Sequence, residues 1–257
     1  MSQRIDPSLD ARLNETRNME KAALRGEPSY VWRAGQQRRF EMILASAGDR
    51  MKGAILEDGC GVGMYMARFQ GHTPHVYGLE YDFERAQDAL KVSPLVLNGA
   101  GENLPYPSNS FDLVLSHEVL EHVQDDKKSA AEIVRVLKPG GRAVIFVPNL
   151  GYPFETHGIY WNGRYYFGNK PFINYLPRVW RNKLAPHVNV YTKRQISGLF
   201  DGAACKIIEH RVIFGAYDNL IARFGGAGKL LRSALQALEA TPLSGLGLSH
   251  YLVIEKI

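Results

Sequence analysis

Ala54-Ile55-Leu56-Glu57-Asp58-Gly59-Cys60-Gly61-Val62-Gly63 is the stretch on which the fold of this chain is read. A short apolar run ends in acid, the pattern of a buried parallel strand reaching the edge of its sheet. Three glycines then fall at every second position. Such a turn lets backbone N–H groups approach a ligand closely. Met64-Tyr65-Met66-Ala67-Arg68-Phe69 follows without Pro or Gly and predicts a helix. Strand, glycine turn and helix together predict a nucleotide-type site at the carboxyl edge of an α/β sheet.

The spacing narrows the ligand. A dinucleotide fingerprint requires G-x-G-x-x-G. Here the third glycine comes one residue early, and Met64 stands where that pattern places Gly or Ala. No Gly-Lys-Ser/Thr follows, so a Walker phosphate loop is excluded. Downstream, His75–Leu79 reads as a second strand ending at Glu80, about twenty residues past the first glycine. A carboxylate there accepts hydrogen bonds from two vicinal ribose hydroxyls. The competing reading is a surface acid at a strand end. Tyr81 either lies along an adenine ring or faces solvent from its loop.

Further along, Ala86–Leu90 predicts a helix and Pro94–Leu97 a short third strand. Asn98-Gly99-Ala100-Gly101-Glu102-Asn103-Leu104-Pro105-Tyr106-Pro107 leads into a fourth strand, Phe111–Leu115. His117-Glu118-Val119-Leu120-Glu121-His122 misses the zinc motif H-E-x-x-H by one position, at Glu121, so no metal is expected. Ala130–Leu137 predicts an amphipathic helix that Lys138-Pro139-Gly140-Gly141 stops, with a fifth strand at Arg142–Val147.

Five motifs now stand in order: E-x-G-x-G-x-G at 57–63, the segment 98–107, F-D-x-V at 111–114, Ser116 with L-E-H at 120–122, and R-V-L-K-P-G-G at 135–141. Over residues 54–150 they resemble class I S-adenosylmethionine (SAM)-dependent methyltransferases. The branch resembled is the broad one that includes ubiquinone-type O-methyltransferases. The resemblance implies SAM as methyl donor. It places Glu57, Gly59, Gly61, Gly63, Glu80 and Tyr81 around the cofactor, with backbone groups near Gly101 and Glu102. Ser116 and His117 would sit beside the methionine moiety, and His122 would serve a hydrogen bond in the following helix. One position departs: the acid that receives the adenine amino group in the family falls on Ala100.

The resemblance also implies a seven-stranded, mostly parallel Rossmann-like sheet with helices on both faces. Its last strand, Ser249–Glu255, would run antiparallel beside the fifth. A helix ahead of the first strand, with Phe40, Ile43, Leu44 and Ala47 on one face and Gly48 as its stop, would fold over the cofactor. Tyr30, Arg33 and Arg39 then reach the methionine carboxylate, or else form a solvated basic face.

From Thr156 to Phe200 there are seven Lys and Arg and no acid, against a net charge of +5 for the whole chain. The basicity therefore belongs to one region. Trp161, Trp180 and eight Tyr or Phe crowd the stretch from Tyr152 to Trp180, while Pro153, Pro171, Pro177 and Pro186 exclude one long helix. This insertion, at about 151–190, leaves the fifth strand at the carboxyl edge, where open α/β sheets form their ligand crevice. It is the expected lid or substrate wall. Aromatics beside cations suit a phosphorylated sugar or isoprenoid, an anionic membrane surface, or RNA. A small satellite core with a solvated basic face is the competing reading. His157 and His187 lie here and are the candidates for a base that takes an acceptor proton. The alternative for each is a loop histidine bonded to backbone.

Thr192 is placed to cap a late helix, and Lys206–Phe214 reads as the sixth strand. Lys229–Ala240 predicts a helix with Leu230, Leu231, Ala234, Leu235 and Leu238 on one side. Covering the sheet is expected of it ahead of lying on a membrane. Leu9, Leu13 and Met19 mark a loose amphipathic helix near the start.

With 257 residues, 45% hydrophobic and 22% charged, the composition is that of a globular domain. The expected layout is one domain: a helical cap at 1–50, a SAM-binding half at 51–150 and a substrate half at 151–257. Cys60 and Cys205 lie too far apart in sequence to suggest a disulfide framework. Neither a signal peptide nor a spanning run is read, so a cytoplasmic protein is expected, with membrane association left open. The expected function is methyl transfer from SAM to a small-molecule, glycan or lipid-linked acceptor, at oxygen. One rival is an RNA methyltransferase. Ser116-His117-Glu118 argues against it, standing in place of the Asn/Asp-Pro-Pro-aromatic motif of amine-methylating nucleic-acid enzymes. Another rival is a protein that binds SAM without catalysis. Ala100 favours that reading, while Glu57, the glycines and Glu80 oppose it.

Overall fold

Val144-Ile145-Phe146-Val147 and Tyr251-Leu252-Val253-Ile254 are apolar at every position, and all eight residues are 0% exposed. Runs of this kind bury only in a sheet that is covered on both faces. That is the architecture of the computed structural model, which describes residues 31–257. The described chain separates into two compact units, residues 31–152 with 190–257, and residues 153–189.

The larger unit begins with helix α1 (Ala34–Ala47), followed by β1 (Ile55–Asp58), α2 (Met64–Phe69), β2 (Val76–Glu80), α3 (Phe83–Leu90), β3 (Val96–Asn98), β4 (Phe111–His117), α4 (Asp126–Val136) and β5 (Leu137–Pro148). The smaller unit holds β6 (Phe154–Glu155), β7 (Ile159–Trp161), β8 (Arg164–Tyr166), β9 (Lys170–Pro171) and α5 (Arg178–Leu184). The chain then returns to the larger unit through α6 (Lys193–Gly198), β10 (Cys205–Ile213), α7 (Asp218–Ala237) and β11 (Ser249–Lys256).

The seven-stranded sheet has the order β10-β11-β5-β4-β1-β2-β3. Strands β1 to β5 pair in parallel, and β11 is inserted antiparallel between β5 and β10. The expected sheet, with its antiparallel last strand beside the fifth, is the one observed. Alternation along the strands feeds two cores. Ile55, Leu113 and Leu115 pack with Phe40 and Ile43 of α1, Met66 and Phe69 of α2, and Ala86 and Ala89 of α3. Leu56, Val114 and Ile145 pack with Ala130 and Ile133 of α4 and Ile196 of α6. Side chains fix the helix starts. Asp82 accepts from the backbone of Glu84 and Arg85, and Thr192 and Gln195 form a reciprocal capping box.

Two expectations are corrected. Lys138-Pro139-Gly140-Gly141 does more than stop α4. Leu137 already pairs with Phe111, and the Pro-Gly-Gly bend lies inside β5 before Arg142 pairs with Leu113. The leucine side of 229–240 does not cover the sheet: Leu230 is 74% and Leu231 46% exposed. The reason is a bend at Gly225 (φ 53°) that turns the second half of α7 against the first. Gly228 is the contact point, where an added Cβ would lie 2.6 Å from the Leu220 carbonyl oxygen. The leucines are left facing outward. Among the described residues, no helix is long and apolar enough to cross a membrane. The segment carrying Leu9, Leu13, Met19 and Tyr30 lies outside the described residues.

The smaller unit closes on itself by other means. Asn162 (φ 47°) and Gly163 (φ 74°) make the two-residue turn joining β7 to β8, a pairing of residue types suited to positive φ. Its interior holds an ion pair, Glu155 to Arg181 at 2.9 Å, with both side chains almost fully buried. Arg181 also donates to the Val188 carbonyl at 2.7 Å, and the His157 backbone N–H donates to Glu155 at 2.9 Å.

Candidate cofactor site

Strand β1 carries Glu57 and Asp58 to the carboxyl edge of the sheet, Asp58 level with Leu79 of β2 and Ser116 of β4. The chain then turns through Gly59 (φ 74°), Gly61 (φ 55°) and Gly63 (φ 83°). At Gly59 the need is double, since a Cβ would also lie 2.3 Å from a Val119 methyl. Glu80, at the end of β2, is gripped from both sides. The Gly61 N–H donates to one oxygen and the Asp82 N–H to the other, each at 2.8 Å. The glycine loop and the acid form one preorganised clamp, and the carboxylate keeps lone pairs for further donors.

Two polar atoms beside this clamp are buried with no hydrogen-bond partner among the described residues: Glu57 Oε2 and the Tyr65 hydroxyl. Burial pushes the Glu57 carboxyl well above the usual carboxylate range, against an opposing hydrogen bond from the Met66 backbone. Burial likewise raises Asp58 to about 7, with the Ser116 hydroxyl, 3.5 Å away, opposing. Orphaned groups of this kind cost about 1–3 kcal/mol each. A ligand that brings an ammonium group and hydroxyls relieves that cost. The donor and acceptor set therefore fits a ligand of SAM's chemistry: Glu57 has a carboxyl oxygen to offer an ammonium, and Glu80 has lone pairs to offer a diol.

Arg39 of α1 is turned inward and is not part of a solvated face. It donates to Glu118 at 2.9 Å, to the Ser249 hydroxyl at 3.0 Å, and to His117 Nε2. Arginine has no acceptor, so His117 Nε2 accepts and its proton sits on Nδ1. Burial, then the Arg39 charge, push the His117 pKa down to about 3, and the ring is neutral. It lies 5.1 Å from the Tyr65 ring and 5.3 Å from Phe146. Arg33 is exposed at the start of α1. Sequence reasoning missed Tyr65, Asp58 and Ser249. Tyr65 could have been found from its place in the first turn after the glycine loop. Ser249 had no local signal, because only the antiparallel insertion of β11 brings it to Arg39.

Gly101 and Glu102 lie in a single helical turn after β3 that starts from Ala100. Gly101 is buried, and Glu102 accepts from the Gln124 N–H at 2.8 Å. Tyr81 is 59% exposed. His157 and His187 belong to the smaller unit. His157 Nδ1 lies 3.1 Å from Glu155. His187 Nε2 lies 3.3 Å from the His157 carbonyl, which can only accept, so the His187 proton sits on Nε2. Its Nδ1 lone pair is buried with no partner among the described residues. Burial lowers the His187 pKa, and the rings of Tyr160 and Tyr165 stand edge-on to it at 5.6 Å.

Residues 56–145 match the methyltransferase-domain family model. A probable S-adenosylmethionine-dependent methyltransferase of Mycolicibacterium smegmatis is 33% identical over 44% of this chain and 45% of its own length. A ubiquinone/menaquinone biosynthesis C-methyltransferase of Desulfotalea psychrophila is 31% identical over 48% and 55%. A malonyl-[acyl-carrier protein] O-methyltransferase of Erwinia billingiae is 33% identical over 47% and 49%. The chain spans about half the length of the curated relatives it matches. In fold, a crystal structure of an S-adenosylmethionine-dependent methyltransferase from Mesorhizobium loti aligns with TM-score 0.61 at 18% identity, over 87% of this chain and 98% of that one. The matched segment carries the glycine loop, Glu80 and the ends of β3 and β4, and it identifies residues 56–145 as a methyltransferase domain set in the fold of the SAM-dependent methyltransferases.

Proposed function

We propose that the chain methylates a small-molecule, glycan or lipid-linked acceptor at oxygen, with His187 taking the acceptor's proton. When bound, SAM supplies an activated methyl group on a sulfonium. The chain's own task is to hold the cofactor, orient the acceptor and accept the proton. Glu57, Glu80 and the glycine loop serve the first task. The observation that carries the rest of the reading is the half-buried His187 ring, its pKa lowered by burial and its Nδ1 lone pair open, beside two tyrosines. A hydroxyl is a poor nucleophile until its proton is taken, and a positioned base contributes roughly 10²–10⁴ in rate. The matched relatives include both a C- and an O-methyltransferase, so the choice of oxygen rests on the chemistry of this base.

The test begins with methyl-labelled SAM and a cell extract split into lipid, small-molecule, RNA and protein fractions. Label in lipid or small molecules supports the reading. Label in RNA overturns the acceptor class. With the acceptor in hand, His187→Gln should lower kcat by about 10²-fold while leaving SAM affinity unchanged. The acidic limb of the kcat–pH profile should vanish with it. An unaltered kcat would remove His187 from the mechanism.

A further inference from the structure

The smaller unit carries a surface that cofactor binding does not use. Residues 153–189 contain five Lys or Arg and one acid, Glu155. Glu155 is 1% exposed and paired with Arg181, so its charge is cancelled internally. Arg164, Arg178 and Lys183 are exposed and Lys170 is half-buried. The charge that residues 153–189 show to solvent is therefore of one sign. Among these cations stand large exposed apolar side chains: Trp180 and Val179 at 68%, Phe172 at 63%, and Trp161 and Phe167 at 56%. Each tryptophan has basic neighbours. Trp161 is the cross-strand partner of Arg164 at the hairpin turn, and Trp180 lies in α5 between Arg178 and Lys183. Large apolar side chains exposed among cations are what an interaction site presents.

We propose that this unit docks on an anionic lipid bilayer, with Trp161 and Trp180 at headgroup depth and Arg164, Arg178 and Lys183 on lipid phosphates. The alternative partner with phosphates is RNA, and the side chains favour lipid. Exposed Val179 and Leu176 offer no ring to a nucleic-acid base but partition readily into the acyl boundary. Three exposed cations are a sparse track for a polynucleotide backbone, whereas at an anionic surface each one adds about fivefold in affinity. Neither part suffices alone, since stable peripheral binding needs apolar insertion together with a basic patch. Docking of this kind holds for any methyl acceptor.

The test uses the full chain with vesicles of phosphatidylcholine alone and of phosphatidylcholine mixed with phosphatidylglycerol. Flotation and tryptophan emission are read together. The expected result is flotation with the anionic vesicles only, a blue shift on binding, and release at high salt. Trp161→Ser with Trp180→Ser should weaken partitioning at least about tenfold, and Arg164→Glu, Arg178→Glu and Lys183→Glu together should abolish it. Unchanged SAM affinity in both variants shows that the cofactor unit is intact. Absence of flotation with anionic vesicles, or partitioning that both variants leave unaltered, overturns the proposal. A blue shift with poly-uridylate in place of vesicles overturns it in favour of nucleic acid.

Discussion

The two units solve the same problem in opposite ways. The larger unit buries the apolar side chains of its central strands completely, with Leu113, Ile145, Phe146 and Tyr251 all at 0% exposure, and holds orphaned polar atoms at the Glu57–Tyr65 corner as well as at Glu121 and Ser129. The smaller unit buries charge, Glu155 against Arg181, and turns its tryptophans outward. An ion pair and a two-residue hairpin turn tie residues 153–189 together, where the larger unit relies on the apolar faces of its sheet.

The largest effect expected from this contrast is at Arg181. Arg181→Met leaves the Glu155 carboxylate buried without its counter-ion, at a cost of about 3–5 kcal/mol. Burial opposes ionisation of Glu155, but the His157 ring, its N–H and Arg181 outweigh it and hold the carboxyl down at about 2. Hydrogen exchange should show residues 153–189 opening while SAM affinity is retained. Adding Glu155→Gln should restore much of the protection. If the single variant also loses SAM binding, the two units are not separable in this way.

The next effect is on the cofactor side. Glu80→Gln weakens the clamp on the Gly61 and Asp82 N–H groups and the grip on a ribose diol. Hydrogen bonds to charged groups are worth about 1.5–3 kcal/mol, so calorimetry should show SAM affinity falling roughly ten- to hundredfold. Glu57→Gln separates binding from stability. It should weaken SAM binding by a similar factor, yet raise the Tm of the ligand-free protein at neutral pH, because a buried carboxyl that ionises more readily in the unfolded chain is removed. A lower Tm would mean that Glu57 supports the fold.

The division between the units also marks where the sequence was readable. Glu57, the glycines, Glu80 and the strand order are local patterns or follow from them, and they were visible in 54–150. Arg39 was visible only as a candidate cation. Its inward turn depends on Glu118 and Ser249, the latter brought over by β11 from 210 residues away. The leucine stripe of α7 was read as core because periodicity cannot see the bend at Gly225. In the smaller unit the aromatics were legible, but their exposure was not. It follows from Glu155 and Arg181 occupying the interior, which no spacing rule announces.

The smallest expected effect tests the larger unit at its far edge. His250 Nε2 lies 2.9 Å from the Tyr191 carbonyl, which can only accept, so the His250 proton is on Nε2. His250 Nδ1 must then accept from His210 Nε2 at 3.2 Å, and His210 Nδ1 from the Ser197 hydroxyl at 3.1 Å. The chain runs in one direction, and a second proton on His250 sets N–H against N–H, while one on His210 meets the Ser197 hydroxyl, which must turn to accept it. Burial, with Lys193 and His250 adding, lowers His210 to about 4, and burial lowers His250 too. The unfolded chain therefore binds protons that the native state refuses, so stability is full above the ordinary histidine pKa of about 6.5 and falls as the pH drops toward 4. Discounted for the partial exposure of His210, its share is about 1 kcal/mol, or about 2–4 °C in Tm. His210→Phe should flatten the Tm–pH curve between those limits by that amount and leave the steeper loss nearer pH 3, where His117 is forced to charge. An unchanged slope would show that the His210–His250 pair does not set the acid sensitivity of this unit.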